Sequence, residues 1–438
     1  MKIAIIGYGL EGKAAYDYWK DKGSITICDI SPVDVPNDVQ VQFGSDYLTG
    51  LSGFDLIVRS PVINPRDIVK ANGGDEILDR VTSNTNEFFK VCPSQNIIGV
   101  TGTKGKGTTS TLIAKMLEAQ GEKVFLGGNI GVPALDLLNQ NISKNDWVVL
   151  ELSSFQLIDF RYAPRIAVCL MVVPEHQDWH LDTKEYYSAK AGLFVRQSLE
   201  DMAVYCSLNA NSKQIASVSK GRKIPYLEPP GAVIVDDKFI SIDNLNICPV
   251  SELGLRGKHN WQNVCAAITA VWQVSKNPEA IKSVLTSFTG LEHRLEHVAD
   301  INGVGYYDDS FGTTPETAMV AIEAFSEPEI VILGGSDKGA SYDELAKTVS
   351  ENNVATVLLI GDQGPAIESA LRNKGYTNMV HGGNSMEEIV RQAQSLAKPG
   401  YVVVLSPACA SFDMFENYKD RGNQFKQAVR ELASLGAQ

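Results

Sequence analysis

The sequence predicts an α/β protein of three domains whose parallel sheets are covered by helices. Short apolar segments alternate with longer segments of helical periodicity along the chain, which is the pattern of strand–helix–strand units. The chain has 438 residues, 44% of them hydrophobic, and domains of about 100–200 residues would give two to four. The pattern places the domains at residues 1–93, 94–295 and 296–438.

Composition and charge exclude several classes of function. The formal net charge is -13, whereas a general nucleic-acid binder or a protein that docks on anionic membranes needs a basic face. The seven cysteines are scattered and form no CxxC pair, which indicates a reducing compartment. Because the sequence contains neither a signal peptide nor a stretch of about 18 apolar residues, we expect a cytoplasmic monomer without membrane insertion.

A glycine loop near the start of the chain predicts a Rossmann-like N-terminal domain. GYGLEG (residues 7–12) fits GxGxxG and follows the predicted strand Lys2–Ile6, and Asp29 ends the next strand. Alone, this fingerprint suggests an NAD-dependent oxidoreductase. The alternative carries less weight because a single GxGxxG is a weak signal and a second phosphate loop lies elsewhere.

The second glycine loop predicts a P-loop ATPase-like central domain. TGTKGKGTT (residues 101–109) follows the predicted strand Ile97–Val100 and opens a helix from about residue 108. Lys106 would lie near the β- and γ-phosphates, and Thr108 or Thr109 would offer a hydroxyl to Mg²⁺. A Gly follows the lysine where the general pattern has Ser or Thr, so a plain strand-to-helix turn is the alternative.

Three further residues are candidates for metal binding, each with an ordinary alternative. Glu151 ends a predicted strand and would hold Mg²⁺ opposite the phosphates, or face water at a sheet edge. His176 lies in PEHQDWH (residues 174–180), a metal site or a polar surface loop. Lys190 lies on a predicted helix, where a lysine is normally solvated. Asn260 resembles the N-cap of a buried helix.

These motifs together resemble the Mur ligases. TGTKGKGTT resembles the ATP loop of that family and of the related folylpolyglutamate synthases, which also place a Gly after the lysine. The resemblance implies an ATP-dependent ligase that joins glutamate to UDP-N-acetylmuramoyl-L-alanine through an acyl phosphate, and a Rossmann-like C-terminal domain. The other segments that carry it, in family order, are LELSSFQL (150–157), PEHQDWH (174–180), YYSAK (186–190), HNWQN (259–263), EHR (292–294), GGSDKG (334–339) and SPACASFD (406–413).

The resemblance also implies which residues act. It implies two Mg²⁺ ions, held by Thr108 and Glu151 and by His176 and a carbamylated Lys190, with Lys106, Glu151, His176 and Lys190 as the catalytic set. The residues implied for ATP are Gly102, Thr103, Lys104, Gly105, Lys106, Gly107, Thr108, Asn260, Asn263, Arg294 and Asp309. Those implied for the UDP-linked substrate and for glutamate are Gly9, Asp29, Asn129, Ser153, Gln156, Thr313, Lys338, Ser411, Phe412 and Tyr418.

The chain departs from the family at several positions. Glu11 and Ile30 stand where hydroxyl residues are usual in the uridine site, and Glu175 and Trp179 replace an Asp and an Arg. Phe311 replaces a lysine near the glutamate site within DSFGTTP (residues 309–315). A variant branch with a TTP motif includes members that add L-glutamate, so both D- and L-glutamate stay open as acceptors. A folylpolyglutamate synthase and a P-loop switch without ligase activity are further alternatives.

Overall fold

A computed structural model describes residues 1–37, 39–337 and 339–435, with side chains up to residue 434. The chain forms two compact units. The first comprises Met1–Glu252 with Trp261–Leu285, and the second comprises Leu253–Asn260 with Thr286–Gln438. The predicted domain limits at residues 93 and 295 stay predictions. The mixed α/β class is confirmed.

The first sheet is a parallel five-stranded sheet in the order β3-β2-β1-β4-β5. Its central strands are buried because Ile3, Ile5 and Ile27 alternate with residues that face the helices on the other side. Its strands are β1 Lys2–Ile6, β2 Ser24–Asp29, β3 Gln40–Phe43, β4 Leu56–Arg59 and β5 Val81–Thr82, and its helices are α1 Leu10–Trp19, α2 Pro65–Asn72 and α3 Asn84–Val91.

The second sheet, also parallel, has six strands in the order β11-β10-β9-β6-β8-β7. The carboxyl ends of β6 and β8 are neighbours, so the groups that follow them lie at one edge of the sheet. The strands are β6 Ile97–Thr101, β7 Val124–Gly128, β8 Trp147–Glu151, β9 Ile166–Cys169, β10 Met202–Cys206 and β11 Arg222–Tyr226, and the helices are α4 Lys106–Ala119, α5 Ala134–Leu137, α6 Ser154–Leu157, α7 Thr183–Ala191 and α8 Ala210–Ser217.

A small antiparallel sheet completes the first unit, where the alternation of strands and helices predicts only parallel pairing. It comprises β12 Val233–Val235, β13 Phe239–Ile242 and β14 Leu245–Pro249. Asp243 and Asn244, the two residues between β13 and β14, both have positive φ, 49° and 62°. Two consecutive residues of positive φ make the tight turn that joins antiparallel strands, and Asp-Asn is a suitable pair for it.

The second unit contains a six-stranded sheet in the order β15-β16-β20-β17-β18-β19, in which only the β15–β16 pairing is antiparallel. The strands are β15 Glu296–Ile301, β16 Val304–Asp308, β17 Glu329–Gly334, β18 Val354–Ile360, β19 Met379–His381 and β20 Val402–Leu405. The helices after α9 Lys258–Val271 and α10 Pro278–Ser287 are α11 Pro315–Ile322, α12 Asp343–Glu351, α13 Gly364–Asn373, α14 Met386–Leu396 and α15 Tyr418–Leu435.

Two helix starts differ from the sequence predictions. Because α9 begins at Lys258, Asn260 lies inside the first turn, and its prediction as an N-cap is wrong. Its side-chain amide donates instead to the carbonyl of Arg256, at 2.6 Å. Because α4 begins at Lys106, both Lys106 and Thr108 lie in its first turn. No helix within residues 1–37, 39–337 and 339–435 is long and apolar enough to cross a membrane.

All seven cysteines are buried and none forms a disulfide. Cys28, Cys169 and Cys206 lie on or at the ends of central strands, where the thiol packs as a small apolar group. Burial raises the pKa of the Cys28 and Cys169 thiols to about 12. These two thiols are therefore protonated at neutral pH, and their burial shields them from reagents.

Glu329 begins β17 in the middle of the last sheet and is fully buried. Neither of its carboxyl oxygens has a hydrogen-bond partner within the described part of the chain. Burial, and then the charge of Glu327, raises the pKa of Glu329 from 4.5 to about 9. The carboxyl is therefore neutral in the folded chain at pH 7, when the unfolded chain would have released its proton.

Glu329→Gln is expected to reduce the loss of stability with rising pH. Above pH 4.5 the unfolded chain loses a proton that the folded chain keeps, so the free energy of unfolding falls as pH rises towards 9. Glutamine removes this contribution. The difference in unfolding temperature between the variant and wild type, measured by circular dichroism, should shift in favour of the variant by at least about 3 °C between about pH 5 and about pH 8. Glu323→Gln, at an exposed position, is the control, and parallel pH profiles for wild type and E329Q would contradict the expectation.

Candidate active site

The P-loop lies between β6 and α4, where the chain turns sharply through glycines. Gly105 precedes α4 in the left-handed region, at φ 83°. A Cβ at this position would collide with the side-chain amide of Asn263, which lies on α9 in the same unit. Only glycine fits both constraints. The loop therefore presents the N–H groups at the start of α4, where an anion is favoured.

Two lysines converge on one backbone carbonyl in this loop. The Lys106 ammonium donates to the carbonyls of Gly102, at 3.2 Å, and Thr103, at 2.9 Å. The Lys190 ammonium donates to the same Gly102 carbonyl at 2.7 Å, and Lys190 is only 2% exposed. Burial, and then the charge of Lys106, lowers the pKa of Lys190 to about 7. Lys106 gives the loop a positive charge that suits phosphate, and the lowered pKa of Lys190 leaves part of its amine neutral at pH 7.

The Thr103 side chain holds the loop rather than facing the predicted ATP site. Its hydroxyl donates to the Val173 carbonyl and accepts from the Val173 N–H, each at 3.0 Å. It also lies 2.9 Å from the hydroxyl of Tyr186, which must donate because the Thr103 proton is already used. The hydroxyl is therefore saturated, and the backbone N–H donates to the Met171 carbonyl. An ATP contact by Thr103 stays a prediction.

Glu151 ends β8 directly beside the strand that leads into the P-loop. In the sheet register it pairs with Val100 of β6, and its side chain is only 4% exposed. One carboxylate oxygen accepts from the Asn129 amide at 2.9 Å. Asn129, predicted to contact the muramoyl group, thus orients the predicted metal ligand in this structure.

His176 lies in a strained turn beside the loop. Its φ of 57° is uncommon for a residue with a side chain. The preceding residue, Glu175, forms an ion pair of 2.6 Å with Lys104 of the P-loop. Burial lowers the pKa of the His176 imidazole, so the ring is neutral at pH 7. The neutral ring is the form that binds a metal.

The donor set at this edge fits a divalent cation next to a phosphate. Glu151 supplies a buried carboxylate, Thr108 supplies a hydroxyl in the first turn of α4, and His176 supplies a neutral imidazole. In the described part of the chain, the buried hydroxyl of Thr109 has no hydrogen-bond partner. Oxygen ligands with one carboxylate and a nearby phosphate are what Mg²⁺ prefers.

Ser153 and Gln156 form a capping box at the start of α6. The side-chain carbonyl of Gln156 accepts from the backbone N–H of Ser153 at 2.9 Å. The Ser153 hydroxyl accepts from the backbone N–H of Gln156 at 3.3 Å. The Gln156 amide also donates to Glu11 at 3.3 Å, and Gln156 is 1% exposed. Both residues were predicted to bind substrate. Their side chains are occupied with each other, so that role stays a prediction.

The glycine loop of the first sheet has the expected backbone and an unexpected acid. Gly9 precedes α1 in open space, and Asp29 accepts from the N–H groups of Tyr8, at 2.8 Å, and Ser31, at 3.1 Å. Glu11 accepts from the Asn84 amide at 2.5 Å, and burial raises its pKa to about 6. Its carboxyl therefore points to a neighbouring helix rather than to open solvent.

In the second unit, Arg294 and Asp309, both predicted to bind ATP, are packed against neighbouring side chains. The guanidinium of Arg294 lies 3.8 Å from the centre of the Phe311 ring, a cation–π contact. Tyr418 meets the same ring edge-on at 5.2 Å. Asp309 is buried and accepts from the Ser406 hydroxyl at 2.6 Å and the Leu295 N–H at 3.2 Å. Burial raises the pKa of Asp309 to about 7.

Arg421 orders the loop that contains Ser411. It is fully buried on α15 and donates to the hydroxyl and carbonyl of Ser310, each at 2.9 Å. It also donates to the carbonyls of Cys409 and Ala410, at 3.2 Å. A single guanidinium thus joins the turn after β16 to the turn after β20, and these turns carry the predicted acceptor residues.

The remaining acceptor residues differ in exposure. Ser411 is buried, whereas its neighbour Phe412 is 74% exposed. The Thr313 N–H donates to the Phe311 carbonyl at 2.8 Å. Lys338 lies outside the described residues, so its contact with glutamate stays a prediction from the sequence.

Within the described part of the chain, three potential metal ligands lie close together at a place where the sequence predicts no metal site. His293, Glu296 and Asp308 place ligand atoms within 4.8 Å of one another. His293 bonds to Asp308 at 2.7 Å, and the Lys426 ammonium lies 3.2 Å from Glu296. Because a lysine already balances the charge, we interpret this group as structural support for the adjacent Arg294.

Sequence reasoning missed Arg59, which links elements of the first unit. Arg59 is 1% exposed and forms an ion pair of 2.5 Å with Asp159, a residue 100 positions away in the chain. It also donates to the carbonyl of Phe155 at 2.9 Å. An arginine at the end of an otherwise apolar strand was the available signal, because a buried charge requires a partner.

Known proteins match the chain over most of its length. Residues 100–271 match the family model described as the Mur ligase middle domain. Residues 293–409 match the model described as the Mur ligase, glutamate ligase domain. The first range contains the P-loop, and the second contains Arg294, Asp309 and Phe311.

Similar proteins include enzymes named UDP-N-acetylmuramoylalanine--D-glutamate ligase. The protein of that name from Acetivibrio thermocellus is 37% identical, and the match covers 98% of this chain and 96% of the relative. The one from Symbiobacterium thermophilum is 35% identical and covers 99% and 98%. In both, the match extends well beyond the two family models.

Solved structures share the fold at lower identity. UDP-N-acetylmuramate-alanine ligase MurC from Thermotoga maritima has a TM-score of 0.59 at 16% identity, with 98% of this chain and 99% of that chain covered. MurF ligase from Thermotoga maritima, in complex with ADP, has a TM-score of 0.59 at 15% identity, with 98% and 94% covered. With relatives up to 37% identical along nearly the entire sequence, the chain belongs to the Mur ligase family.

Proposed function

We propose that the protein is an ATP-dependent ligase that joins D-glutamate to UDP-N-acetylmuramoyl-L-alanine in the synthesis of peptidoglycan precursors. One observation carries the proposal. Glu151 ends the strand beside β6, and Lys106 and Lys190 donate to the same carbonyl in the loop that follows β6. A buried carboxylate next to a positive P-loop is an arrangement for phosphoryl transfer. The relatives named above supply the substrate class.

The proposed reaction has two steps. The γ-phosphoryl group of ATP is transferred to an oxygen of the alanyl carboxylate, which gives ADP and an acyl phosphate. The amine of glutamate then attacks the acyl carbon, the bond to the phosphate oxygen breaks with its electron pair, and the nitrogen loses a proton. Lys106 would hold the transferred group in line, and the N–H groups of α4 would orient the phosphates.

Magnesium, when bound, would neutralise phosphate charge, and Thr108, Glu151, His176 and Lys190 would hold two ions. A carbamate on Lys190 is part of the proposal. The neutral amine adds to CO₂ and releases a proton, which turns a cation into a carboxylate-like ligand. The buried position of Lys190 beside Lys106 supports it, because burial and a second cation both favour the neutral amine.

Glutamate is proposed to bind in the second unit, through Ser411, Thr313 and Lys338. D-glutamate is favoured over L-glutamate because the two relatives named above carry D-glutamate in their names. The acidic composition and the seven buried cysteines without a disulfide support a cytoplasmic protein that acts on small molecules, and the proposal includes that it is a monomer. No nucleic acid or membrane partner is proposed.

The assignment is tested by ADP release with UDP-N-acetylmuramoyl-L-alanine, ATP and Mg²⁺. We expect ADP to form at a rate that depends on D-glutamate and on the UDP-linked substrate. Preference for L-glutamate would overturn the acceptor assignment. ADP release without any amino acid would indicate a P-loop switch, folate-dependent release would indicate a folylpolyglutamate synthase, and no release under any condition would reject the ligase.

Glu151→Gln is expected to lower kcat by at least about a hundredfold. The amide keeps an oxygen that can accept from Asn129 but loses the negative charge, so the unfolding temperature should stay within a few degrees of wild type. The matched control is Glu118→Gln, at an exposed position on α4, which should keep full activity. A Glu151→Gln enzyme with near-normal kcat would remove Glu151 from the metal site.

Lys190→Ala is expected to abolish ADP release, and a short carboxylate such as acetate or propionate should restore part of it. The added acid would fill the space and supply the charge of the carbamate. The exposed Lys184→Ala variant on the same helix α7 is the control. A carbon-13 NMR signal after labelling wild type with bicarbonate, absent in Lys190→Ala, would report the adduct directly. Full activity of the alanine variant would contradict the proposal.

A further inference from the structure

Aromatic rings pack against His176 beside the P-loop. The centre of the Phe155 ring lies 4.8 Å from that of His176 and 4.3 Å from that of Trp179, with interplanar angles of 57° and 35°. Phe155 lies on α6, four residues after Glu151 at the end of β8. The imidazole therefore packs against a ring that itself packs, at a tilt, against an indole.

The backbone of His176 depends on the same segment. Its left-handed φ of 57° is unfavourable for a residue with a Cβ. The N–H groups of Trp179 and His180 both donate to the His176 carbonyl, at 3.2 and 3.0 Å. These two backbone hydrogen bonds hold the turn in which His176 takes this conformation.

Trp179 is fixed by the loop that follows β4 of the first sheet. Its indole N–H donates to the Val62 carbonyl at 2.8 Å. Its own carbonyl accepts from the amide of Asn64, at 3.3 Å, and from the guanidinium of Arg66, at 3.1 Å. Arg66 also forms an ion pair of 2.7 Å with Glu185 on α7. Contacts from two separate elements thus hold one side chain and its peptide group.

We propose that Trp179 is a positioning residue that sets the His176 imidazole for metal binding and ties it to the loop after β4. The inference rests on the proposed function, in which His176 holds a metal ion. An indole is suited to the task because it packs against Phe155 and donates one hydrogen bond without adding a positive charge near the metal. The arginine usual in the family at this position would add that charge.

A consequence is that the two ends of the substrate share one support. The loop that holds Trp179 follows a strand of the first sheet, where the glycine loop is proposed to bind the UDP group. The turn held by Trp179 carries His176 on the phosphate side. Loss of the indole is therefore expected to act on the metal site and on the loop after β4, and to leave the contacts with ATP and glutamate unchanged.

The test compares Trp179→Leu, which loses the ring, with Trp179→Phe, which keeps a ring and loses only the N–H. The Mg²⁺ concentration for half-maximal ADP release should rise by at least about tenfold in the leucine variant. It should rise by less in the phenylalanine variant, and KM for glutamate should stay within about twofold. Trp272→Phe is the matched control, because that buried indole donates to Asp243 outside the site.

A second readout needs neither metal nor substrate. The backbone amides of residue 179 and His180 should lose hydrogen-exchange protection by about tenfold or more in metal-free Trp179→Leu and keep most of it in Trp179→Phe. Unchanged protection in the leucine variant, or an equal Mg²⁺ effect in Trp272→Phe, would overturn the inference. If wild type releases no ADP, the proposed function fails, and the exchange comparison alone decides the positioning role.

Discussion

The carbonyl oxygen of Gly102 is the point on which the arrangement of the P-loop depends. It accepts from both Lys106 and Lys190, and a carbonyl has two lone pairs for this purpose. Gly102 itself has a φ of 154°, and a Cβ there would lie 2.6 Å from the Cβ of Leu170. The conformation of Gly102 thus determines where its carbonyl points. That carbonyl in turn fixes the direction of Lys106 and the position of the buried Lys190.

In the second unit, the side chain of Arg421 alone organises the backbone of the loops around it. Arg421 is surrounded by neutral oxygens of Ser310, Cys409 and Ala410, and burial lowers its pKa to about 10. It remains charged at pH 7. A buried cation held by backbone carbonyls fixes the path of the chain more strictly than a side-chain pair would, because the backbone has fewer ways to move away.

The sequence predicted what local periodicity and motif chemistry determine, and missed what depends on distant contacts. The strand–loop–helix unit around Lys106 and the position of Glu151 at the end of β8 follow from patterns within a few residues. The ion pair of Arg59 with Asp159 joins residues 100 positions apart, so the arginine at the end of an apolar strand indicates that a partner is needed but not which residue it is. The roles expected of Gln156 were inferred from a motif, whereas its amide is committed to a capping box and to Glu11.

The burial of every cysteine has a practical consequence for studying this enzyme. Because no native thiol is exposed, a single cysteine introduced on the surface would be the one reactive site for a maleimide dye or a spin label. Donor and acceptor probes could then be attached to the two compact units without first removing seven residues from the cores. Whether the units move during turnover becomes accessible to single-molecule distance measurements on an otherwise unaltered chain.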